Sequence, residues 1–140
     1  MELVKVKHIR VLQGKMQLTL VLEKGAPRFT NQTLIQKALE DFPYLAEHTC
    51  KNEVGATFGC VMNNTSLPHL FEHMVIELQV NALLERGSNQ KDVVLVGVTQ
   101  WTDQENEASV SFSFVNDVIA LNAVKKAQAL LNSYLIQESQ

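Results

Sequence analysis

Leu67-Pro68-His69-Leu70-Phe71-Glu72-His73-Met74-Val75-Ile76-Glu77-Leu78-Gln79-Val80 opens the longest regular stretch of the chain, a helix expected over residues 67–86. Thr65 or Ser66 can cap its start, Pro68 falls in the first turn where a missing N–H costs nothing, and Gly87 ends it. Leu67, Leu70, Phe71, Met74 and Leu78 share one face, opposite His69, Glu72, His73 and Glu77. Read alone, those four polar residues could be a solvated face. Their stripe continues, however, into Ile76, Val80, Leu83 and Leu84, and a helix that is apolar on all sides is a buried one. The polar cluster therefore sits at one end of a buried helix, where unpaired imidazoles and carboxylates are costly. A linked site explains them better than a surface does.

Regular elements flank this helix on both sides. Towards the N-terminus, Leu34, Ile35, Ala38, Leu39 and Phe42 form a helical stripe, capped by Thr30 or Asn31 and stopped by Pro43. Before it, Val4 and Val6 alternate with Lys5 and Lys7, and Ile9 and Val11 resume on the other parity, which implies a bulge near His8. Leu18, Leu20 and Leu22 make the partner strand, joined through a tight turn at Gln13-Gly14-Lys15. His8 itself reads as a strand-face residue. Towards the C-terminus come two more strands, Val93-Val94-Leu95-Val96-Gly97-Val98 and Ser109-Val110-Ser111-Phe112-Ser113-Phe114-Val115, separated by an acidic loop. In the second, Val110, Phe112 and Phe114 face the core; Trp101 packs at the sheet edge. A last helix starts at Asp117 or Val118 and reaches Leu135, with Ile119, Ala123, Ala127, Leu130 and Leu131 near one face and a fraying tail from Gln137.

The order is strand, strand, helix, loop, helix, strand, strand, helix. It predicts an α+β fold: a two-layer sandwich of two ββα units, with a four-stranded, mainly antiparallel sheet and the helices on one face. The 140 residues make one domain, 1–140, with no linker. Twelve Lys+Arg against fifteen Asp+Glu, a net charge of -3, argue against nucleic acid as a partner. No apolar run approaches a membrane span, and the alternating N-terminus has no signal-peptide core. With Cys50 and Cys60 as the only cysteines, and no disulfide framework, the expected location is the cytoplasm.

The chemistry resides in H-x-x-E-H, formed by His69, Glu72 and His73. Imidazoles at i and i+4 share a helix face and can share a metal ion, and a glutamate beside them can take a proton from a water activated there. This is the inverted zincin order. A zinc site needs a third protein ligand. Glu77 is the nearest, one turn beyond His73 but rotated about 60° around the axis from the two His taken together. A ligand from another element serves equally. The long loop over 43–64 offers Glu47, His48 and Cys50; a cap or turn cluster is the plainer reading of that set. Gly55 and Gly59 are not a phosphate loop, since no G-K-[ST] follows, and neither cysteine lies in a nucleophile signature.

Leu45-Ala46-Glu47-His48-Thr49-Cys50, a glycine-containing loop with Phe58, and the Glu72-His73…Glu77-Leu78-Gln79 block together resemble the N-terminal domain of cyanophycin synthetase. The strand with Val110 and Phe112, the Ala-rich last helix and, more loosely, Arg10-Val11-Leu12-Gln13-Gly14 fit as well, so the resemblance spans nearly the whole chain. The segment 54–60 is poorer in glycine than the family's loop. The resemblance implies a module that holds, or cuts at a metallopeptidase-like site, a polymer of Asp and Arg, without the ATP-dependent ligase domains. It carries His69, Glu72, His73 and Glu77 in the helix and Glu47, His48 and Cys50 in the loop.

The resulting expectation is a zinc hydrolase, or one using another divalent transition metal, of an amide bond in a peptide-like polymer. His69 and His73 are metal ligands, Glu77 or His48 completes the set, Glu72 is the general base, and Glu47 and Cys50 lie on the substrate side or behind the ligands. The rival expectation is a non-catalytic module that docks the polymer or a synthetase-like protein partner, alone or as an oligomer.

Overall fold

The leucines of the second strand, at every other position, have one physical solution: a sheet with one face covered. The structure, a computed structural model, describes residues 2–50, 52–87 and 94–139. Strands β1 (Val4–Leu12), β2 (Lys15–Leu22), β3 (Gly97–Trp101) and β4 (Glu107–Ser113) form one sheet in the order β1-β2-β4-β3, with every neighbouring pair antiparallel. Met16, Leu18, Leu20 and Leu22 from β2 and Ala108, Val110 and Phe112 from β4 are buried beneath the helices. This is the α+β arrangement expected.

The β1–β2 turn places Gly14 at φ +68°, and the anticipated bulge is present: the register slips between Lys7 and Arg10, and His8 takes φ +52°. The slip has a consequence for packing. Val4 is buried before it, whereas Ile9, Val11 and Leu12 beyond it are exposed.

Helix α1 (Gln32–Asp41) is capped by Asn31, whose side chain accepts from the Leu34 N–H at 2.8 Å. Helix α2 (Leu67–Glu85) begins at Ser66, whose hydroxyl accepts from the His69 N–H. The solvated-face reading fails here. Glu72, His73 and Glu77 are each less than 9% exposed, and the neighbouring Gln79 is fully buried, its amide donating to the Ser113 carbonyl of β4. Helix α2 lies over β3 and β4, and helix α3 (Asp117–Ser139) packs on α2, α1 and β1. Asn132 of α3 holds the start of β1, accepting from the N–H groups of Leu3 and Val4 and donating to the Val4 carbonyl.

Three boundaries differ from expectation. The strand expected over 93–98 is shifted: β3 is Gly97–Trp101, Val94 and Val96 are exposed outside it, and position 93 lies outside the described residues. The reason is pairing: the register with β4 runs from Gly97 opposite Phe112 to Trp101 opposite Ala108, and Val96 meets β4 only at its margin, through the N–H and hydroxyl of Ser113. Strand β4 likewise runs two residues earlier than its apolar pattern, so Phe114 packs half-buried just beyond it and Val115 is exposed. Helix α3 continues past Leu135 to Ser139, because no glycine or proline stops it.

Candidate metal centre

The loop expected over 43–64 is two short 3-10 turns, Leu45–Glu47 and Phe58–Cys60, around an extended arm. Thr49 bridges to Thr57, Cys50 N–H donates to the Ala56 carbonyl, and Phe58 N–H donates to the His48 carbonyl. Asn52 closes the turn: its oxygen accepts from the Val54 and Gly55 N–H groups, and its amide donates to the Cys50 and Thr57 carbonyls. In an extended arm, alternate side chains share a side. His48 and Cys50 therefore both reach α2, while Thr49 between them is exposed.

Cys50 Sγ lies 3.4 Å from His69 Nε2, and His69 Nε2 lies 3.1 Å from His73 Nε2. The ligand atoms of all three residues fall within 4.8 Å of one another. Around a single tetrahedral zinc, two nitrogens stand about 3.3 Å apart and a nitrogen and a sulfur about 3.5 Å, given the usual bond lengths. With Cys50 and His73 buried and His69 half-buried, the group fits a metal ion by donor type and by its Cys50–His69 and His69–His73 spacings.

A second ring of contacts orients these donors. His69 Nδ1 meets Thr65 Oγ1 at 2.8 Å. His73 Nδ1 meets His48 Nδ1 at 3.0 Å, and His48 Nε2 meets Glu77 Oε2 at 2.5 Å. Phe58 stacks on His73 with ring centres 4.2 Å apart and stands edge-on to His69 at 5.0 Å. One ordering of the protons, with one on each ring and Glu77 as acceptor, satisfies the whole chain. His48 Nε2–H donates to Glu77, His73 Nδ1–H to His48, His69 Nε2–H to His73, and the Thr65 hydroxyl to His69.

Glu72 closes the group from the other side. Its Oε1 accepts from the Thr99 hydroxyl at 2.7 Å and its Oε2 lies 3.6 Å from His73 Nε2. A Cβ on Gly97 would stand 2.9 Å from the Glu72 Cγ and Cδ, so glycine on β3 makes room for that carboxylate.

Burial sets the electrostatics. Burial, reinforced by the neighbouring His69 and His48, drives His73 down to about 2, and burial also lowers His69. Both rings are therefore neutral near pH 7, with a lone pair to offer. Burial raises the Cys50 thiol against an opposing hydrogen bond from Asn52. Burial raises Glu72 too, while Thr99 and His48 pull it back.

The structure thus gathers His48, Cys50, His69, Glu72, His73 and Glu77 from the sequence candidates. The converging donor atoms are those of Cys50, His69 and His73; His48 and Glu77 meet the group through the far nitrogen of His73. Glu47 is exposed on its 3-10 turn, and among the described residues no hydrogen bond or ion pair joins it to the others. Thr65, Thr99 and Gly97 join the site with no motif in the sequence to mark them, and Phe58 joins it from the loop that carries the resemblance. The signal for Thr65 was its place one residue before the Ser66 cap, which frees its hydroxyl for the first turn.

No curated protein matches this chain. A family model described as the cyanophycin synthase-like N-terminal domain matches residues 15–136, which span both central strands, the long loop and all three helices up to Ile136. With most of its length matched, the chain belongs to the cyanophycin synthase-like N-terminal domain family.

Proposed function

We propose that the protein is a metal-dependent hydrolase of an amide bond in a peptide-like, cyanophycin-like polymer. The observation that carries this reading is the placement of the buried Glu72 carboxylate 3.6 Å from His73 Nε2, beside the converging Cys50, His69 and His73 donors. Cys50, His69 and His73 would hold the ion, zinc being favoured by a sulfur–nitrogen donor set. When bound, it supplies Lewis-acid polarisation of a carbonyl and activation of a water. The protein's own residues do the rest. Glu72, whose carboxyl burial raises above its ordinary value, takes a proton from the attacking water and returns it to the leaving amine. Thr99 holds the carboxylate at Oε1 and leaves Oε2 for that work. Glu77 and His48 act through His73, fixing which of its nitrogens carries the proton. Loading the ion requires His69 to move its proton from Nε2 to Nδ1, facing Thr65, and Cys50 to release its own.

A second reading has its own support. The Thr65–His69–His73–His48–Glu77 chain satisfies every imidazole nitrogen without an ion, so the same residues make a stable buried network for a module that only binds the polymer or a synthetase-like partner. The deciding experiment measures metal content of untagged protein and then the appearance of new amino termini from an Asp–Arg polymer, with and without chelator. Chelator-sensitive cleavage by a protein holding about one ion per chain supports the hydrolase. A metal-free protein that binds the polymer intact supports the module.

A further inference from the structure

The sheet has two outer edges, and they are built differently. The β1 edge is guarded: Lys5, Lys7 and Arg10 lie on it, a bulge interrupts its register between Lys7 and Arg10, and Asn132 occupies its start. Charges and bulges of this kind keep other strands from adding to an edge. The β3 edge has none of these. Its sequence, Gly97-Val98-Thr99-Gln100-Trp101, carries no charge and its register with β4 is unbroken.

The hydrogen-bond parity of β3 follows from its ends. Ser113 N–H donates to the Val96 carbonyl, and Thr102 N–H donates to the Glu107 carbonyl. In an antiparallel pair, residues alternate between those bonded to the neighbour and those facing away. The even positions, 96 to 102, therefore bond to β4, and Gly97, Thr99 and Trp101 turn their N–H and C=O groups to the outer edge. Among the described residues no strand pairs with that edge. Gly97 and Thr99 are also the two β3 residues that touch Glu72, one by close approach and one by hydrogen bond.

We propose that the outer edge of β3 is the substrate subsite, taking an extended peptide backbone as an added strand through Gly97, Thr99 and Trp101. This rests on the hydrolase reading above and extends it to the class of substrate. A strand added there pairs its amides with the outward-facing groups of Gly97 and Thr99, and so passes beside Glu72. Recognition is by main chain, so one side-chain set of the peptide faces α2 and the other faces solvent beside Val98 and Gln100, both exposed. A folded globular substrate, with its backbone already paired, is excluded.

The test uses the full chain treated with chelator, so that nothing is cleaved, and a millimolar pool of capped peptides of about ten residues, a length ample for one added strand, randomised over acidic, basic and small apolar residues. Amide hydrogen exchange is followed by NMR. The amides of Gly97, Thr99 and Trp101 should slow at least about tenfold, while those of Val98 and Gln100, already bonded to β4, stay unchanged. A pool methylated on every backbone nitrogen should give no slowing. Unchanged exchange at the three amides, equal slowing by the methylated pool, or slowing that grows with protein concentration in the absence of peptide would each overturn the proposal, the last by assigning the edge to a second copy. Slowing without any cleavage by the metal-loaded protein would sink the hydrolase reading and leave the subsite standing; cleavage without slowing would do the reverse.

Discussion

His48 Nε2 stands 2.5 Å from Glu77 Oε2 while the Nδ1 of the same ring meets His73 Nδ1 at 3.0 Å, so a carboxylate one turn beyond the H-x-x-E-H group acts on that group through a ring from a distant loop. The relay leaves the Nε2 lone pair of His73 facing His69 and Cys50. His48→Asn or Glu77→Gln removes the relay but none of the three converging donors. Either change should weaken metal affinity about 10–100-fold, the usual cost of losing such support. Competition against a chromophoric chelator measures it, and affinity equal to the parent protein would place both residues outside the site.

Replacing Cys50, His69 or His73 by alanine removes a donor outright. Each variant should lose tight metal binding while keeping its far-ultraviolet circular dichroism, because β2, β4 and the apolar side of α2 supply the core. Elemental analysis after gel filtration reads the result. A Cys50→Ala protein that retains a full ion would return the third position to Glu77 or His48. Loading the parent protein in weakly buffered solution should also release about one proton, from Cys50.

Glu72→Gln keeps the shape and one acceptor for Thr99 but removes the proton-accepting carboxylate. Hydrolysis of an Asp–Arg polymer should fall about 10²–10⁴-fold with metal content unchanged. Loss of the metal instead would make Glu72 a ligand rather than a base.

The metal-free protein should lose stability in mild acid. His69 and His73 have folded values below the ordinary 6.5, so the unfolded chain binds more protons than the folded one as pH falls. Their contribution is complete above about 6.5 and is lost below it. With His73 held to about 2, pH 5 costs about 2 kcal/mol relative to pH 8. Glu72 has the opposite sign. Raised above its ordinary 4.5, it contributes stability at low pH that is lost as pH rises through the folded value, so it offsets part of the histidine effect. Urea midpoints in chelator between pH 8 and 5 check this, and a flat profile contradicts the buried neutral rings.

Gly97→Ala puts a Cβ 2.9 Å from the Glu72 Cγ and Cδ. Strain of this size in a packed site costs about 1–3 kcal/mol. The carboxylate must move, so hydrolysis should fall while metal content holds. Thermal melts and the polymer assay read the two effects separately, and a variant unchanged in both would show that the approach of β3 to Glu72 is loose.

The element order, the hairpin with its bulge, the buried central helix and the H-x-x-E-H group are all legible along the chain, because alternation, helical spacing, proline and glycine act within a few residues. The sequence also shows that His48 and Cys50 have chemistry-bearing side chains in a segment without a period. Which of them faces which partner depends on contacts across the fold. The extended arm opposite Thr57 brings Cys50 to His69 and His48 to the far side of His73, and that pairing depends on residues more than 15 apart meeting across the fold. Spacing along one helix had made Glu77 the nearest candidate for a third ligand. In the fold its carboxylate is engaged by His48 before it reaches the converging donors. The same holds for β3: valines 94 and 96 have the stronger β-propensity, but pairing with β4 selects Gly97–Trp101, because a strand is made by hydrogen bonds to a neighbour that local sequence does not specify.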